Sequence, residues 1–344
     1  MRVLLTGADG FVGSNLTREL LKRGYRVRGM VQPNRNTSTI DALEIEKVAS
    51  DLLDADSVDA AMKDCDAVIH AAASTSIWPA RSPIVRRINL EGTHNVLHAA
   101  RNHRVRRMVH IGTANSFAPG TRERPGTESG DYGSRRYGVD YMDSKYEAHL
   151  AVMEASRRGD VPVVEVNPTF MWGPFDRAPG AGKMILRVYR REVPGSAKGG
   201  RNCVAVKDVA VGIANALTRG SVGEAYILGN VNLSYPEIFQ TISRVVGVTI
   251  PDRTYPDWIV NATGMGGSLV SFFRRTEPVV SRAMARISCD GHYYSAAKAV
   301  RELGLPQTPV EVAIQEALDW FIANGYVYDE DGKIPRKFTV PSLT

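Results

Sequence analysis

The sequence of 344 residues has few cysteines, no long apolar run and no large excess of charge of either sign. Its three cysteines, Cys65, Cys203 and Cys289, form no CxxC pair, which excludes a disulfide scaffold and a zinc ribbon. The longest run without a charged residue covers 258–273 and includes three glycines, and its 16 residues fall short of the roughly 20 that a bilayer crossing needs. We therefore expect no stable membrane insertion.

Signals for export and for metal binding are also missing. No apolar stretch precedes the first glycine turn, so we expect no secretory signal and a cytoplasmic protein. The histidines have no metal-binding spacing to cysteines or carboxylates, so we expect packing roles for them and no metal. They are His70, His94, His98, His103, His110, His149 and His292.

The balance of charge is only mildly basic, with 43 Lys and Arg against 37 Asp and Glu, a net charge of +6. The basic clusters are short, mixed with apolar residues and free of interleaved aromatics, which argues against nucleic-acid binding and leaves an anionic small molecule compatible. An apolar fraction of 43% with mixed charge excludes disorder as the main state. The clusters are Arg104, Arg106 and Arg107, then Arg135 and Arg136, then Arg187, Arg190 and Arg191.

What the sequence does have is a regular alternation of short apolar runs and amphipathic segments. It predicts strands at 2–6, 25–31, 67–70, 108–111 and 161–166, and helices at 14–23, 56–63, 88–101, 141–158 and 309–324. Such βαβ units indicate an α/β fold with a doubly wound parallel sheet, a Rossmann domain. We assign residues 1–170 to this dinucleotide-binding domain. Residues 171–326 are mainly a smaller α/β substrate-binding lobe with crossings back to the sheet, and 327–344 form a tail.

A glycine turn follows the first predicted strand and opens the first helix. Gly7, Gly10 and Gly13 provide a tight turn, room for a pyrophosphate and close packing of helix on strand. The pyrophosphate would lie at the helix N-terminus, where unpaired N–H groups and the helix dipole favour negative charge. The spacing and its context predict a dinucleotide-binding site that includes Phe11 and Val12.

With this turn, a set of further motifs resembles the extended short-chain dehydrogenase/reductase family over residues 1–326. Within that family, the chain is similar to the dihydroflavonol-reductase-like and hopanoid-associated sugar-epimerase-like branch. The resemblance implies a homodimer formed through the helices at 88–101 and 141–158. The matching motifs are TGxxGFVG, Asp51–Leu52, His70–Ala71–Ala72, Asn89 in NLEGTHNVL, Thr113, Tyr141-xxx-Lys145, Asn167–Pro168–Thr169, Asp208 and DWFIANGY.

Tyr141 and Lys145 lie four residues apart, so a helix presents both on one face. A phenol is a poor acid at neutral pH, and a nearby ammonium lowers its pKa towards the working range. The resemblance gives Thr113 the role of polarising a substrate carbonyl and lets Lys145 bind the nicotinamide ribose. Asn89 matches an asparagine that holds a water or a backbone bend near the site. Tyr137 lacks a lysine four residues later and is excluded as the acid.

The cofactor is expected to be NADP(H), with NAD(H) as the alternative. Residues 28–35 hold no carboxylate to bind a ribose 2′-OH. Arg35 or Arg28 can reach a 2′-phosphate, although Gln32 stands where the reductase branch has arginine. The full set of predicted cofactor contacts is Gly7, Gly10, Phe11, Val12, Gly13, Gln32, Arg35, Asp51, Leu52, Ala71, Ala72, Tyr141, Lys145, Pro168 and Thr169.

Three functions stay open at this point. The first is an NAD(P)-dependent reductase of an apolar ketone or aldehyde, with Trp78 and Met171 near the substrate and residues 258–273 as a lipophilic lid or a buried helix pair. The second is a nucleotide-sugar epimerase or dehydratase, for which Arg201 and the basic stretch 183–201 would bind phosphate. A non-catalytic nucleotide-binding scaffold is the third, and the intact Thr113, Tyr141 and Lys145 argue against it.

Overall fold

The computed structural model describes residues 1–274 and 276–327, so of the predicted tail at 327–344 only Val327 lies among the described residues. Strands and helices largely alternate through the first half of the chain. They are β1 (Arg2–Thr6), α1 (Phe11–Lys22), β2 (Arg26–Val31), β3 (Glu46–Ala49), α2 (Ala55–Met62), β4 (Ala67–His70), α3 (Pro83–Arg86), a π-helical turn (Arg87–Glu91), α4 (Gly92–Asn102), β5 (Arg107–Ile111), α5 (Asp140–Arg157) and β6 (Val163–Pro168).

Shorter elements make up the rest of the described chain. They are β7 (Phe170–Trp172), α6 (Gly182–Tyr189), β8 (Gly200–Ala205), α7 (Val206–Ala216), β9 (Ala225–Leu228), β10 (Val231–Ser234), α8 (Tyr235–Val246), α9 (Asp257–Arg274), α10 (Arg282–Cys289), β11 (Gly291–His292), α11 (Ala297–Leu303) and α12 (Val310–Ala323).

The main sheet has seven parallel strands in the order β3-β2-β1-β4-β5-β6-β9. This confirms the predicted doubly wound Rossmann-like fold. The strand order reverses between β1 and β4, and ligands of such sheets bind in the crevice beyond the carboxyl ends of the strands at this point. The glycine turn follows β1 directly, so it lies at that crevice.

Two layers of helices cover the sheet, and alternate residues of β1 show how. Val3 and Leu5 join the apolar cluster formed with α1, α7 and α11, whereas Leu4 joins the cluster formed with α2, α4 and α5. All three side chains are fully buried. A strand buried on both faces needs a continuous apolar run rather than an alternating one, which is what residues 3–5 supply.

A four-stranded sheet lies in the second half of the chain, with β8 pairing β7, β10 and β11. Helices α6, α8 and α12 pack around it, with Trp172 and Phe321 fully buried between them. The chain also returns to the main sheet, since β9 is its seventh strand and α7 packs on α1. The division near residue 170 stays a prediction.

Of the two predictions for residues 258–273, the buried helix pair is wrong and the lipophilic lid stays a prediction. The segment forms α9, which pairs with α10, but most of its large apolar side chains are exposed. Gly264 and Ser271 are its buried residues, because only small side chains allow α9 to approach α10 closely.

Candidate active site

The glycine turn forms a cradle for an anion. Gly7 has a φ of +67°, and a Cβ there would lie 2.8 Å from Cα of Ala72, so only glycine fits. Helix α1 begins at Phe11 after Gly10, and it has no side-chain cap and no acidic residue in its first turn. Its N–H groups and positive dipole end are therefore available to a pyrophosphate. The cradle fits the dinucleotide that the sequence predicts.

Thr6 joins the two strands that flank this crevice. Its hydroxyl accepts hydrogen bonds from the backbone N–H groups of Ala71 and Ala72, both at 3.1 Å, and lies 2.8 Å from Nδ1 of His70. These contacts fix the segment after β4 against the glycine turn. Ala71 and Ala72 thus line the predicted cofactor site through their backbone. The sequence did not single out Thr6, although a hydroxyl residue at the end of a buried strand is a usable signal.

The turn after β2 and the segment after β3 offer the next predicted contacts. Gln32 and Arg35 are exposed, and the N–H of Arg35 closes the turn on the carbonyl of Gln32 at 3.2 Å. The carboxylate of Asp51 accepts from the N–H of Leu53 at 2.9 Å. The side chain of Leu52 packs in the core, so this residue can contribute only its backbone to a ligand.

The prediction that Arg28 can reach a 2′-phosphate is wrong. Its guanidinium donates to the carbonyls of Ala61 at 2.9 Å and Lys63 at 2.6 Å, and it forms an ion pair with Glu46 at 3.0 Å. The residue is only 8% exposed. Arg28 points across the sheet towards α2, where it holds the end of that helix.

Thr113, Tyr141 and Lys145 come together at the carboxyl end of β5. The side chain of Thr113, two residues after β5, lies close enough to the Tyr141 hydroxyl to act to lower its pKa. One helical turn further along α5, Nζ of Lys145 donates to the carbonyl of Ile111 at 2.7 Å. The predicted catalytic residues thus lie at the carboxyl edge of the sheet, on the same side as the glycine turn.

The electrostatics of this group differ from the expectation. Burial raises the pKa of Tyr141, and the Thr113 hydrogen bond and the charge of Arg201 oppose the rise without cancelling it. Burial lowers the pKa of Lys145 to about 8, and the carboxylate of Glu165 opposes that change. The cation that favours the Tyr141 phenolate is therefore Arg201 in this structure, whereas the sequence assigned that effect to Lys145.

Arg201 reaches the site from β8. Its Nε donates to the hydroxyl of Tyr235 at 3.0 Å, and its guanidinium carbon lies 5.9 Å from the ring centre of Phe170. Other members of the basic stretch 183–201 do not accompany it, since Lys183 and Lys198 form exposed ion pairs on the surface. The expectation that the whole stretch adjoins the substrate is wrong because it spans α6, a loop and only the start of β8.

Asn89 lies in the π-helical turn and is almost fully buried. Its Oδ1 accepts from the N–H of Ser74 at 2.8 Å, and its Nδ2 donates to the carbonyl of Ser74 and to Oγ of Ser144, both at 3.0 Å. It therefore ties the segment after β4 to the helix that carries Tyr141 and Lys145. Single π turns occur frequently at functional sites. Asn89 acts here as a backbone clamp, one of its two expected roles.

The sequence pattern did not predict a buried network of charged and polar side chains near Lys145. Glu165 on β6 is fully buried and accepts from Nδ1 of His110 at 3.0 Å, Nδ1 of His149 at 2.6 Å and Nδ2 of Asn167 at 3.1 Å. His110 is its partner across the β5–β6 ladder. Simple packing roles for His110 and His149 are therefore wrong. A glutamate within the apolar strand 163–168 was the available signal.

The network has a definite charge state. Burial alone would raise the pKa of Glu165, but the hydrogen bonds from His110 and His149 lower it well below its usual range. Burial lowers the pKa of His110 to about 4. Burial also acts to lower the pKa of His149, but the Glu165 carboxylate outweighs it and raises that pKa. These shifts favour an ionised Glu165 and a neutral His110, and the carboxylate favours the protonated form of His149.

The remaining predicted residues have contacts of their own. Thr169, directly after Pro168, donates from its backbone to Leu228 at 3.0 Å and from its hydroxyl to Asn202 at 2.9 Å. Trp78 and Met171 are half-buried. The predicted substrate role of Trp78 and Met171 stays a prediction. Tyr137, excluded as the acid, donates its hydroxyl to Asp290 at 2.7 Å.

No metal cluster is present in the described residues, where no three His, Cys, Asp or Glu side chains are placed to hold an ion. Over the same ranges, the helices are too short or too polar for any of them to cross a bilayer.

A parallel doubly wound sheet, an anion cradle at its switch point and a Thr–Tyr–Lys group at the same edge define a nicotinamide-dependent oxidoreductase of the short-chain type. Residues 3–229 match the NAD dependent epimerase/dehydratase family, and the chain belongs to it.

Similar proteins of known sequence or structure agree with this assignment. A protein of Synechocystis named as a dihydroflavonol 4-reductase is 34% identical over 94% of this chain and 95% of its own. The 4-hydroxy-2-methyl-3-oxo-4-farnesyl-3,4-dihydroquinoline-1-oxide ketoreductase of Stigmatella aurantiaca is 34% identical over 66% of this chain and 68% of its own. The crystal structure of gox2253 is 32% identical, with a TM-score of 0.82 over 94% of this chain and 98% of that one.

Proposed function

We propose that the protein is an NADPH-preferring carbonyl reductase that acts on a ketone or aldehyde of a mainly apolar small molecule. The observation that carries the proposal is the apolar wall on which Tyr141 packs. Val139, Met142 and Ile287 form its buried part, and Ile77 and Ala80 pack against them. Hydroxyl donors set into such a wall favour a substrate whose one polar atom is the reacting oxygen.

The chain's own residues supply the proton and the orientation. The hydroxyls of Thr113 and Tyr141 can hold the carbonyl oxygen together, and Tyr141 gives that oxygen its proton as negative charge develops. Arg201 favours the phenolate that is left, and a charged Lys145 would donate to the ribose of a bound dinucleotide. A bound dinucleotide would supply the hydride. Asn89 holds the segment after β4 against α5 while the proton moves.

Two kinds of support come from the relatives. The Synechocystis and Stigmatella proteins are named as a reductase and a ketoreductase, and the second name describes a substrate with a farnesyl chain. An apolar substrate is consistent with the wall around Tyr141. The test is NADPH oxidation with a panel of ketones and aldehydes of increasing apolar size. Steady turnover that improves with apolar size is expected, and no turnover with any carbonyl compound would refute the proposal.

The preference for NADPH rests on Arg35, which is exposed at the turn after β2 with no acidic residue between positions 32 and 40. An arginine there can pair with a 2′-phosphate. Arg35→Ala should raise KM for NADPH about tenfold, in line with the loss of one charge-assisted contact, and leave KM for NADH unchanged. Lower KM for NADH than for NADPH in the unmodified protein would contradict the preference.

A second candidate, a nucleotide-sugar epimerase or dehydratase, draws on the position of Arg201. Its guanidinium is close enough to affect Tyr141 and could bind a substrate phosphate at the same site. Such an enzyme would retain its dinucleotide through purification and show no net oxidation of added NADPH. The carbonyl panel and an assay of the bound nucleotide therefore distinguish the two candidates.

A further inference from the structure

Helix α9 carries a stripe of large apolar side chains that face solvent. Trp258 is 72% exposed, Phe272 and Phe273 are each 75% exposed, and Met265 and Leu269 exceed half exposure. Their spacing places them along one side of the helix. We call these five residues the α9 apolar face.

The packing of α9 is the reverse of an ordinary surface helix. Its inner side carries the small residues Gly264 and Ser271, and a Cβ at Gly264 would lie 2.5 Å from Cβ of Ala285 and 2.9 Å from the carbonyl oxygen of Ser281. Small residues inside and large apolar residues outside indicate that the exposed side has a partner of its own. Contiguous exposed apolar surface of this kind marks an interaction site.

No side chain of the α9 apolar face belongs to the apolar cluster around Tyr141. Helix α10 packs on α9 with one side, and its Ala283 and Ile287 belong to the cluster that includes Tyr137 and adjoins Tyr141. Helix α10 therefore lies between α9 and the catalytic tyrosine. The exposed side chains of α9 need an external partner.

The charges around this face identify the class of partner. Three acids of this region are paired, Asp257 with Lys198 at 2.7 Å, Glu277 with Lys183 at 3.6 Å and Asp290 with Arg136 at 3.4 Å. By contrast, three exposed arginines of the same segment have no ion pair within the described residues. They are Arg274, Arg282 and Arg286. Arg282 and Arg286 also line a surface depression together with Met265.

We propose that the α9 apolar face adsorbs to the surface of a membrane that contains anionic phospholipids. Aromatic and aliphatic side chains bordered by arginines suit the boundary between acyl chains and anionic headgroups. A second copy of the chain fits less well, because a two-fold contact would bring the arginines of both copies together. The inference concerns a surface away from Tyr141 and does not depend on the proposed reductase activity.

The test is co-flotation of the full-length protein with phosphatidylcholine vesicles, with and without phosphatidylglycerol. Binding should require phosphatidylglycerol and weaken as salt rises. The fluorescence of Trp258 should shift to the blue on binding, and Trp258→Phe should remove that shift. Phe272→Glu combined with Phe273→Glu should lower the bound fraction at least about tenfold, because two charges enter the apolar contact.

A charge-matched control is Val222→Glu combined with Val312→Glu, two exposed positions away from α9. This control should bind vesicles like the unmodified protein. Both variants should keep the circular dichroism spectrum and the cooperative thermal unfolding of the unmodified protein, which shows that they are folded. If the double variant is not folded, Leu269→Gln replaces it. No binding of the unmodified protein to anionic vesicles, equal loss in the control, or a smaller oligomer in the α9 variant without vesicle binding would each overturn the proposal.

Discussion

At the scale of single residues, the hydroxyl of Tyr141 is the group on which turnover depends. Tyr141→Phe removes the proton donor and keeps the ring that packs in the apolar cluster. Turnover should fall by at least about a thousandfold, the scale of general acid catalysis, with cofactor affinity unchanged within a few fold. Steady-state rates and a cofactor titration measure both.

Tyr137→Phe is the matched control. This tyrosine also lies in the cluster near α10, but its hydroxyl is bound to Asp290 and Arg136 rather than Thr113. Its loss should cost stability of about 1 kcal/mol and leave turnover near that of the unmodified protein. Turnover retained in Tyr141→Phe, or lost equally in Tyr137→Phe, would show that Tyr141 is not the acid.

Glu165 influences the pH at which Lys145 loses its charge. Burial lowers the pKa of Lys145 to about 8, and the Glu165 carboxylate opposes this change. The ammonium is therefore present below pH about 8 and is lost above it. His110 faces Glu165 from β5 and His149 faces it from α5, so the carboxylate is held in place from both sides.

Glu165→Gln should move the alkaline fall of kcat/KM for reduction to lower pH. Removing the carboxylate leaves the burial of Lys145 unopposed, so its charge is lost at a lower pH. The measurement is kcat/KM between pH 6 and 10. The free energy of unfolding should also fall, by about 3 kcal/mol, because His110 and His149 lose their buried anionic partner.

His149→Gln separates this effect from simple destabilisation. It removes one hydrogen-bond partner of Glu165 but leaves the carboxylate that opposes the fall in the Lys145 pKa, so the alkaline fall should not move to lower pH. A shift to lower pH in both variants would contradict the role given to Glu165.

At the scale of elements, the sequence reveals strands that are buried on both faces and hides those at the edge. The apolar runs at 2–6, 67–70 and 108–111 correspond to β1, β4 and β5 almost residue for residue. Strand β3 was missed because Glu46 and Lys47 are exposed at the sheet edge and form no apolar run. Such a strand is defined by its hydrogen bonds to β2, which one segment of sequence does not show.

Because one segment of sequence does not show its partners in the fold, some site residues could be predicted and others could not. Tyr141 and Lys145 lie on one helix, so their spacing alone places them together. Glu165 meets His110 only through pairing of two strands 55 residues apart, and Arg201 reaches Tyr141 from the second sheet. Contacts of this kind depend on register and topology, which no local pattern encodes.

The glycine turn yields a prediction at this scale. Gly7→Ala should abolish cofactor binding, because the new methyl group meets Ala72 and the residue has a φ of +67°. Gly24→Ala is the control, with a similar φ of +77° but nothing within 4 Å of its Cβ. In both variants, backbone strain should lower the free energy of unfolding by about 1–2 kcal/mol, and only Gly7→Ala should also fail to bind the cofactor. Cofactor titration and thermal unfolding test this pair. Normal cofactor affinity in Gly7→Ala would show that the glycine turn is not part of the cofactor site.

At the scale of the whole molecule, the arginines that contribute to the net charge of +6 lie in different structural settings. Arg28 stabilises the fold, Arg201 lies by the catalytic tyrosine, and Arg282 and Arg286 border the α9 apolar face. A phosphate-bearing ligand and the absence of nucleic-acid binding stay predictions. Self-association is predicted on the face of the sheet that α2, α4 and α5 cover.

Helices α4 and α5 pack side by side there, and we propose that they form the contact of a homodimer. On the outer side of α5, Leu150 is 49% exposed and Met153 is half-buried. The protein should then elute with a mass of about 75 kDa, twice the 37.6 kDa of one chain. Leu150→Glu should halve that mass, since an unpaired carboxylate would be buried in the contact.

Val312→Glu introduces the same charge at a 40% exposed position on α12 and should leave the dimer intact. Light scattering after size exclusion, at several micromolar protein, distinguishes the two masses. A mass near one chain for the unmodified protein would remove α4 and α5 as an interface. A dimer that survives Leu150→Glu but not the α9 variant would instead move self-association to the α9 apolar face, and the membrane proposal would fall with it.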